Sequence, residues 1–518
     1  MNLRARSLLV LTAAALPFVL ASACVTRLDG VCDVNNACTG DPDGSVKDGG
    51  GDALVPPGCA SGKDPKDDPN CVSDGKGVFV KAGASGGDGT RGKPFGTIGE
   101  GLAKAAGRAV FVCEGTYAEA LELSGAVALY GGFDCATFAH AGKKSTLASP
   151  KALAVTVKPG AAVVLQDFVV RAADGSTPGE SSVAVFANAA QSVQIARSEL
   201  TAGAGAAGAM GQAGAAGEAG DVGKAPVGNA GGDPGVRTCN DGTKSVGGAG
   251  GAVNAGPTFA PGTDGTSTPA NYMEANGAFT GAGGSAYDGN PATSGRAGKN
   301  GAPGSTLGAP ADIDGTLDGA GWIASSGKAG GTGFPGQGGG GGGAGGSDGS
   351  GGPGGGGGSG GCGGGSGAGG QGGGSSIAIV AFQSEVKLTD TKLVSGVPGA
   401  GGQGGTGGAG GGGGGGVGSV TGATGGGGGN GAGGNGGGGG TGGSSFGVLY
   451  KGKAPMISGA AVTDAPTASY HTGAAVADNG GPPGDRGPAG KIGAHDGNPG
   501  VAGAKGRAGN AAAVREVK

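Results

Sequence analysis

Aromatic side chains make up only 4% of this 518-residue sequence, and they include a single tryptophan, Trp322. So few large side chains cannot fill several cores. The apolar residues concentrate over 78–200 and in two later segments, which predicts one modest core rather than the three or so domains that length alone suggests. Histidine is equally scarce. His140, His471 and His495 are the whole set, and none stands at metal-ligand spacing to another His or to a Cys. Each is read as solvated or packed, and no metal or cofactor is expected. The net charge is only -4, with no basic stripe. That excludes nucleic acid as a partner, because phosphates must be neutralised by Lys and Arg. The apolar run at 8–20 is too short for a confident membrane span. With 139 glycines, matches to G-x-G-x-x-G carry no information. GDGTRGKP at 87–94 approaches a phosphate loop, but Pro94 stands where the magnesium-binding Ser or Thr belongs. The acidic cluster Asp64, Asp67, Asp68 lacks EF-hand spacing and is read as a solvated turn.

What the sequence does contain begins with an address. Arg4 and Arg6, the apolar run and the small residues Ala21, Ser22 and Ala23 read as a signal peptide over 1–23. Small residues directly before Cys24 resemble a bacterial lipobox. That resemblance implies lipid on Cys24 and a membrane partner at the cell envelope, in the outer membrane or at the cell surface. The same residues suit ordinary signal peptidase, which leaves a secreted protein as the alternative. Setting Cys24 aside from the 9 cysteines leaves an even set: Cys32, Cys38, Cys59, Cys71, Cys113, Cys135, Cys239 and Cys362. Exported proteins tend to pair their thiols. Nearest-neighbour pairing is the simplest expectation, although sequence cannot fix connectivity. Residues 24–75 are rich in Asp, Gly and Pro and predict a lipidated tether, with Cys32/Cys38 and Cys59/Cys71 closing small loops. Cys239 and Cys362 bracket a long glycine-rich segment, which a bridge would close.

The folded part is organised around a repeat. SSVAVFANAAQSVQIARSELTAG (181–203) returns as SSIAIVAFQSEVKLTDTKLVSG (375–396) and SSFGVLYKGKAPMISGAAVTD (444–464). A divergent copy precedes them at 152–175. Their apolar positions align as Val163, Leu165, Val170; Val193, Ile195, Leu200; Val386, Leu388, Leu393; and Ile457, Val462. Alternation at period two predicts strands, and recurrence predicts stacked coils. Thr97 and Glu100 have capping-box spacing before Ile98, Leu102 and Ala105, which predicts a short helix capping the stack.

GVFVKAG, DGTRGKPFGTI, VFVCEGTYAEAL and YGGFDC, followed by the repeats, resemble secreted pectate-lyase-like proteins of the DUF1565 type. The VC-x-GTY and GGFDC forms are similar to glycine-rich cell-envelope lipoproteins of myxobacteria, often labelled PE-PGRS-like. The resemblance implies an all-β fold: a right-handed parallel β-helix, or pectin-lyase-like solenoid, interrupted by glycine-rich low-complexity insertions. It also implies a Cys113–Cys135 disulfide. The expected order is cap and first coils over 76–203, an insertion over 204–374, a coil over 375–396, an insertion over 397–443, a coil over 444–465 and a collagen-like tail over 466–518.

In the insertions glycine recurs at every third residue, from Gly205 to Gly223, from Gly396 to Gly411 and again in the tail. This is the period of an extended threefold helix. Disorder, a packed polyglycine bundle and an intermolecular collagen helix are all compatible with it. Each insertion leaves its repeat just after the second apolar stretch, at Gly203, Gly396 or Asp464. That predicts corner insertions dispensable for folding. Scattered aromatics, Trp322 among them, are expected to pin loops. A polysaccharide lyase needs clustered carboxylates and a base. The repeats instead offer Asp167, Arg197, Glu199, Glu385, Lys387, Asp390 and Lys392, with Arg197 near Asp390 and Glu199 near Lys392. These read as a solvated face with no catalytic residue. The expected protein is a non-catalytic structural or adhesive lipoprotein of the cell surface. The alternative binds or cleaves extracellular glycans.

Overall fold

A computed structural model describes residues 63–254, 258–273, 279–345, 351–493 and 495–518. The expected signal peptide and Cys24, Cys32, Cys38 and Cys59 lie outside the described residues. Among the described residues no helix is long and apolar enough to cross a membrane.

The protein is almost entirely β, and its main sheets are parallel. The repeats at 152–175, 181–203 and 375–396 each supply one strand to each of three sheets. Residues 181–203 give Ser182–Asn188, Ser192–Ala196 and Glu199–Thr201. The next repeat gives Ser376–Phe382, Val386–Thr389 and Lys392–Ser395, in register on the first. Leu165, Ile195, Leu388 and Ile457 therefore form one ladder, and Val170, Leu200 and Leu393 another. All are buried in one core, as period-two alternation requires. Val462 is not in its expected place. Met456–Ile457 turns back on Ala460–Ala461, so the strand pairing with Leu393 is delayed to His471–Gly473.

The helix forms over Ile98–Lys104, and the Thr97 hydroxyl accepts from Glu100 N at 3.1 Å. Glu119 Oε1 and Oε2 accept from Ile98 N and Gly99 N, filling the remaining demand of the first turn. The tether ends earlier than expected. Cys71 and Val72 are buried, and Asp74 binds Arg91 N and, through its carbonyl, Arg108. The segment expected as a tail also returns to the stack, where Ala511–Glu516 pairs with Ser445–Lys451. Disulfides join Cys113 to Cys135 and Cys239 to Cys362. Cys71 is also disulfide-bonded, and its expected partner Cys59 lies outside the described residues.

The glycine segments are ordered, which favours the packed bundle among the three arrangements left open by the sequence. Gly205, Gly208, Gly211 and so on to Gly223 donate to carbonyls from Val397 to Gly415 at 2.7–3.0 Å. Residues 399–414 donate in turn to 359–374, which donate back to 206–221. Every third residue faces the same neighbour, as in a bundle of extended threefold helices. The tracts run outward and back as lateral extensions of the repeats. Tract 396–417 lies parallel on 203–223 as its repeat lies on the one below, and tract 423–443 lies parallel on 355–373.

Glycine content follows the number of neighbours. In 204–220 only every third residue is glycine, and the fillers Ala207, Met210, Ala213, Ala216 and Ala219 are exposed. In GAGGQGGTGG (399–408) two faces are covered, and the glycine pairs donate to separate tracts. Residues 428–443, nearly pure glycine, are buried throughout. A Cβ on Gly434 would stand 1.9 Å from the Gly365 carbonyl oxygen. Ordering a glycine backbone costs about 1–2 kcal/mol, while one hydrogen bond returns about 0.5–1.5 kcal/mol net. A lone tract therefore stays unfolded. The bundle orders because each tract also accepts bonds and is packed on several sides.

Serines stitch the bundle to the sheets. Ser376 Oγ donates to Gly203 O and accepts from Gly396 N, both at 2.6 Å. Ser375 Oγ accepts from Ser444 N at 2.9 Å. The segment 204–374 also supplies Leu317 and Trp322, which close a second apolar cluster around Val183, Phe186, Ile377, Val380, Phe446 and Leu449. Deleting it would uncover that cluster, so its loss is expected to lower stability rather than leave it unchanged.

Candidate functional site

The second cluster builds the site. Gly315–Asp318 and Gly321–Ala324 form an antiparallel hairpin carried by the glycine bundle. Its Leu317 is buried against the sheet, and its Trp322 is half-buried beside it. Trp322 Nε1 donates to Ser375 Oγ at 2.9 Å, which fixes one edge of the indole. Gly315 lies under the other edge, where a Cβ would come within 2.5 Å of Cζ2. Between this hairpin and the strands Ser445–Lys451 and Ala511–Glu516 lies a cavity of about 660 Å³. Trp322, Phe446 and Leu449 line its apolar side.

Its polar side carries charges of both signs, several of them in contact. Arg507 Nε lies 3.4 Å from Asp314 Oδ1, and Arg507 Nη1 donates to the Asp312 carbonyl at 2.8 Å. Asn510 Nδ2 donates to Asp314 Oδ2 at 2.7 Å. Arg515 Nη1 stands 3.8 Å from Asp464 Oδ2. Sequence reasoning named Trp322 but not this cavity, because side-chain contacts across it join residues as many as 196 positions apart.

The charged residues expected on the repeats lie elsewhere. Asp167, Arg197 and Asp390 occupy successive levels of one corner, all at positive φ of 45–60°. Arg197 does not pair with Asp390 as the register suggested. It reaches down to Asp167, with Nη2 2.7 Å from Oδ2, and across to Asp64 Oδ2 at 2.7 Å. Burial opposes its charge, but Asp167 and Asp64 hold the guanidinium pKa above its ordinary value. His140 Nε2 approaches Asp167 Oδ2 at 3.3 Å. Glu199 and Lys392 are register partners. The Lys387 hydrogen bond holds the Glu385 carboxyl below its usual range. Among the described residues no group of three or more His, Cys, Asp or Glu could hold a metal.

His471 sits in the stack, with Nε2 2.8 Å from Ser395 Oγ, which also contacts Ser445 Oγ at 2.8 Å. Burial pushes the imidazole pKa down. His495 packs edge-on against Phe279, and Phe259 against Tyr287. These aromatics hold loops. Comparison with protein-family models, curated proteins and solved structures finds no match for this chain.

Proposed function

We propose that the chain is a non-catalytic structural or adhesive lipoprotein of the cell surface. Its parallel sheets are read as a right-handed β-helix of the pectin-lyase-like, DUF1565 type that the sequence resembles. Lipid on Cys24 holds it at the envelope. The observation that carries the reading is the lateral continuation of each repeat into hydrogen-bonded glycine tracts. That arrangement makes a rigid body largely out of backbone, with few side chains in its interior. A scaffold that projects a surface from a membrane needs that rigidity. The ionic groups on the repeats support the same reading, since Arg197, Glu385 and Lys387 are engaged with their own neighbours.

Mass spectrometry of the mature N-terminus tests the anchor. The expected result is a diacylated Cys24, with Cys24→Ala releasing the protein from the membrane fraction. A free Cys24 thiol, or cleavage at another bond, contradicts it.

A further inference from the structure

We infer that the cavity between the Trp322 hairpin and the last strand of the sheet binds a neutral oligosaccharide. The inference gives the adhesive reading its ligand, and rests on that reading only in expecting the sugar to remain uncut. A cavity of about 660 Å³ falls within the usual range for small-ligand sites. One wall is apolar and holds an indole fixed at both edges, by Ser375 Oγ and by the close approach of Gly315. A fixed aromatic plane loses little entropy when a flat apolar face settles on it. The C–H face of a pyranose is such a face.

The opposite wall selects against other ligands. Asp314 is balanced by Arg507, Asp464 by Arg515 and Asp312 by Lys328, and Glu516 and Lys518 add one side-chain charge of each sign. An anionic polymer would meet the carboxylates of Asp312, Asp314, Asp464 and Glu516, and a cation the basic groups of Arg507, Arg515 and Lys518. A hydroxyl group suits the wall, because it donates and accepts at the same atom. It can donate to a carboxylate and accept from the adjacent guanidinium without breaking the pair. A carboxylate offers about four lone-pair sites and a guanidinium five N–H donors. The contacts of Asp314 and Arg507 leave capacity on both. The polar groups are held by one another before the ligand arrives, which reduces the ordering that binding requires.

Trp322 is the single tryptophan, so intrinsic fluorescence reports on the cavity directly. The full chain is titrated with cellohexaose, chitohexaose and mannohexaose up to about 10 mM, above the millimolar range of weak binding. The expected result is a saturable shift in Trp322 emission with at least one of them. Asp314→Ala and Arg507→Ala should each weaken it by about tenfold while leaving the circular-dichroism spectrum unchanged. If either variant unfolds, Arg515→Ala takes its place. No shift with any of the three sugars overturns the inference. So does a shift undiminished in the variants, or tighter binding of a hexagalacturonate. The sugars are weighed by mass spectrometry after the titration. Cleaved hexaose would overturn the non-catalytic reading and leave the cavity assignment standing.

Discussion

Gly364→Val destabilises the protein by about 3 kcal/mol or more, the scale of a severe overpacking change. Gly364 lies in the inner tract of the bundle and donates to Ala432 O at 2.8 Å. A Cβ there would stand 2.0 Å from the Gly408 carbonyl oxygen and 2.6 Å from its carbon. Both atoms are backbone, so no side chain can move aside. The tract must shift, and the bonds to its neighbours shift with it. Ala213→Val is the control. Ala213 fills an outward position of an edge tract and is exposed, so its effect stays within about 0.5 kcal/mol. Thermal or denaturant unfolding of the two variants separates them. Equal melting of both would mean that the glycine tracts are not packed.

Leu388→Asp has an effect of the same order or larger. Leu388 is 2% exposed and sits between Ile195 and Ile457 in the ladder. Its replacement puts an unpaired carboxylate into an apolar stack, where burial is severely unfavourable and the group protonates instead. A loss of about 4 kcal/mol or more is expected, seen as a lowered denaturation midpoint. The stability of the variant should recover in part as pH falls. The aspartate's pKa is raised in the folded chain, so destabilisation is largest above that value and shrinks below it. Lys387→Ala, one residue away at an exposed position, changes stability by about 0–1 kcal/mol. An unchanged midpoint for Leu388→Asp would remove Leu388 from the core.

The strand ladders were legible because alternation at period two survives in every repeat. Val193, Ile195 and Leu200 could be set against Val386, Leu388 and Leu393 by eye, and the register agrees. Val462 failed because an antiparallel turn at Ser458 and Gly459 inserts itself before the third strand. Pattern alone cannot show such an insertion. In the glycine segments the period was legible but its partners were not. A threefold helix with no neighbours has the same sequence as one in a bundle. The discriminating signal was the gradation from G-x-x through GG-x to pure glycine, which tracks one, two and more covered faces. The buried asparagines carry a related signal. Asn435 Nδ2 donates to Gly304 O and Thr306 O, and its Oδ1 accepts from Val501 N, each at 2.8 Å. A polar side chain inside a run of glycine is unfavourable unless it is satisfied in this way.

The cavity was the least legible feature. Trp322 read as a loop pin, and it does pin the hairpin. Its place in the cavity wall depends on Arg507, Asn510 and Asp464, which the fold brings to it from the far end of the sequence. Nothing local in the sequence around Trp322 points to them. The ion pair of Arg197 with Asp64 was hidden for the same reason, because Asp64 lay in a segment expected to be a tether.

Hydrogen exchange resolved by residue is the most direct measurement of the central claim, that the glycine tracts form one hydrogen-bonded bundle continuing the sheets. Gly431, Gly434, Gly437 and Gly440 donate to Gly411, Gly408, Gly405 and Gly402 and are buried. Their amides should exchange as slowly as those of Val386 and Leu388 in the sheet, through global unfolding. The amides of Ala213 and Ala216, on the outward face of the edge tract, should exchange freely. Exchange of all the tract glycines at the rate of an unstructured chain, with the sheet still protected, would contradict the account.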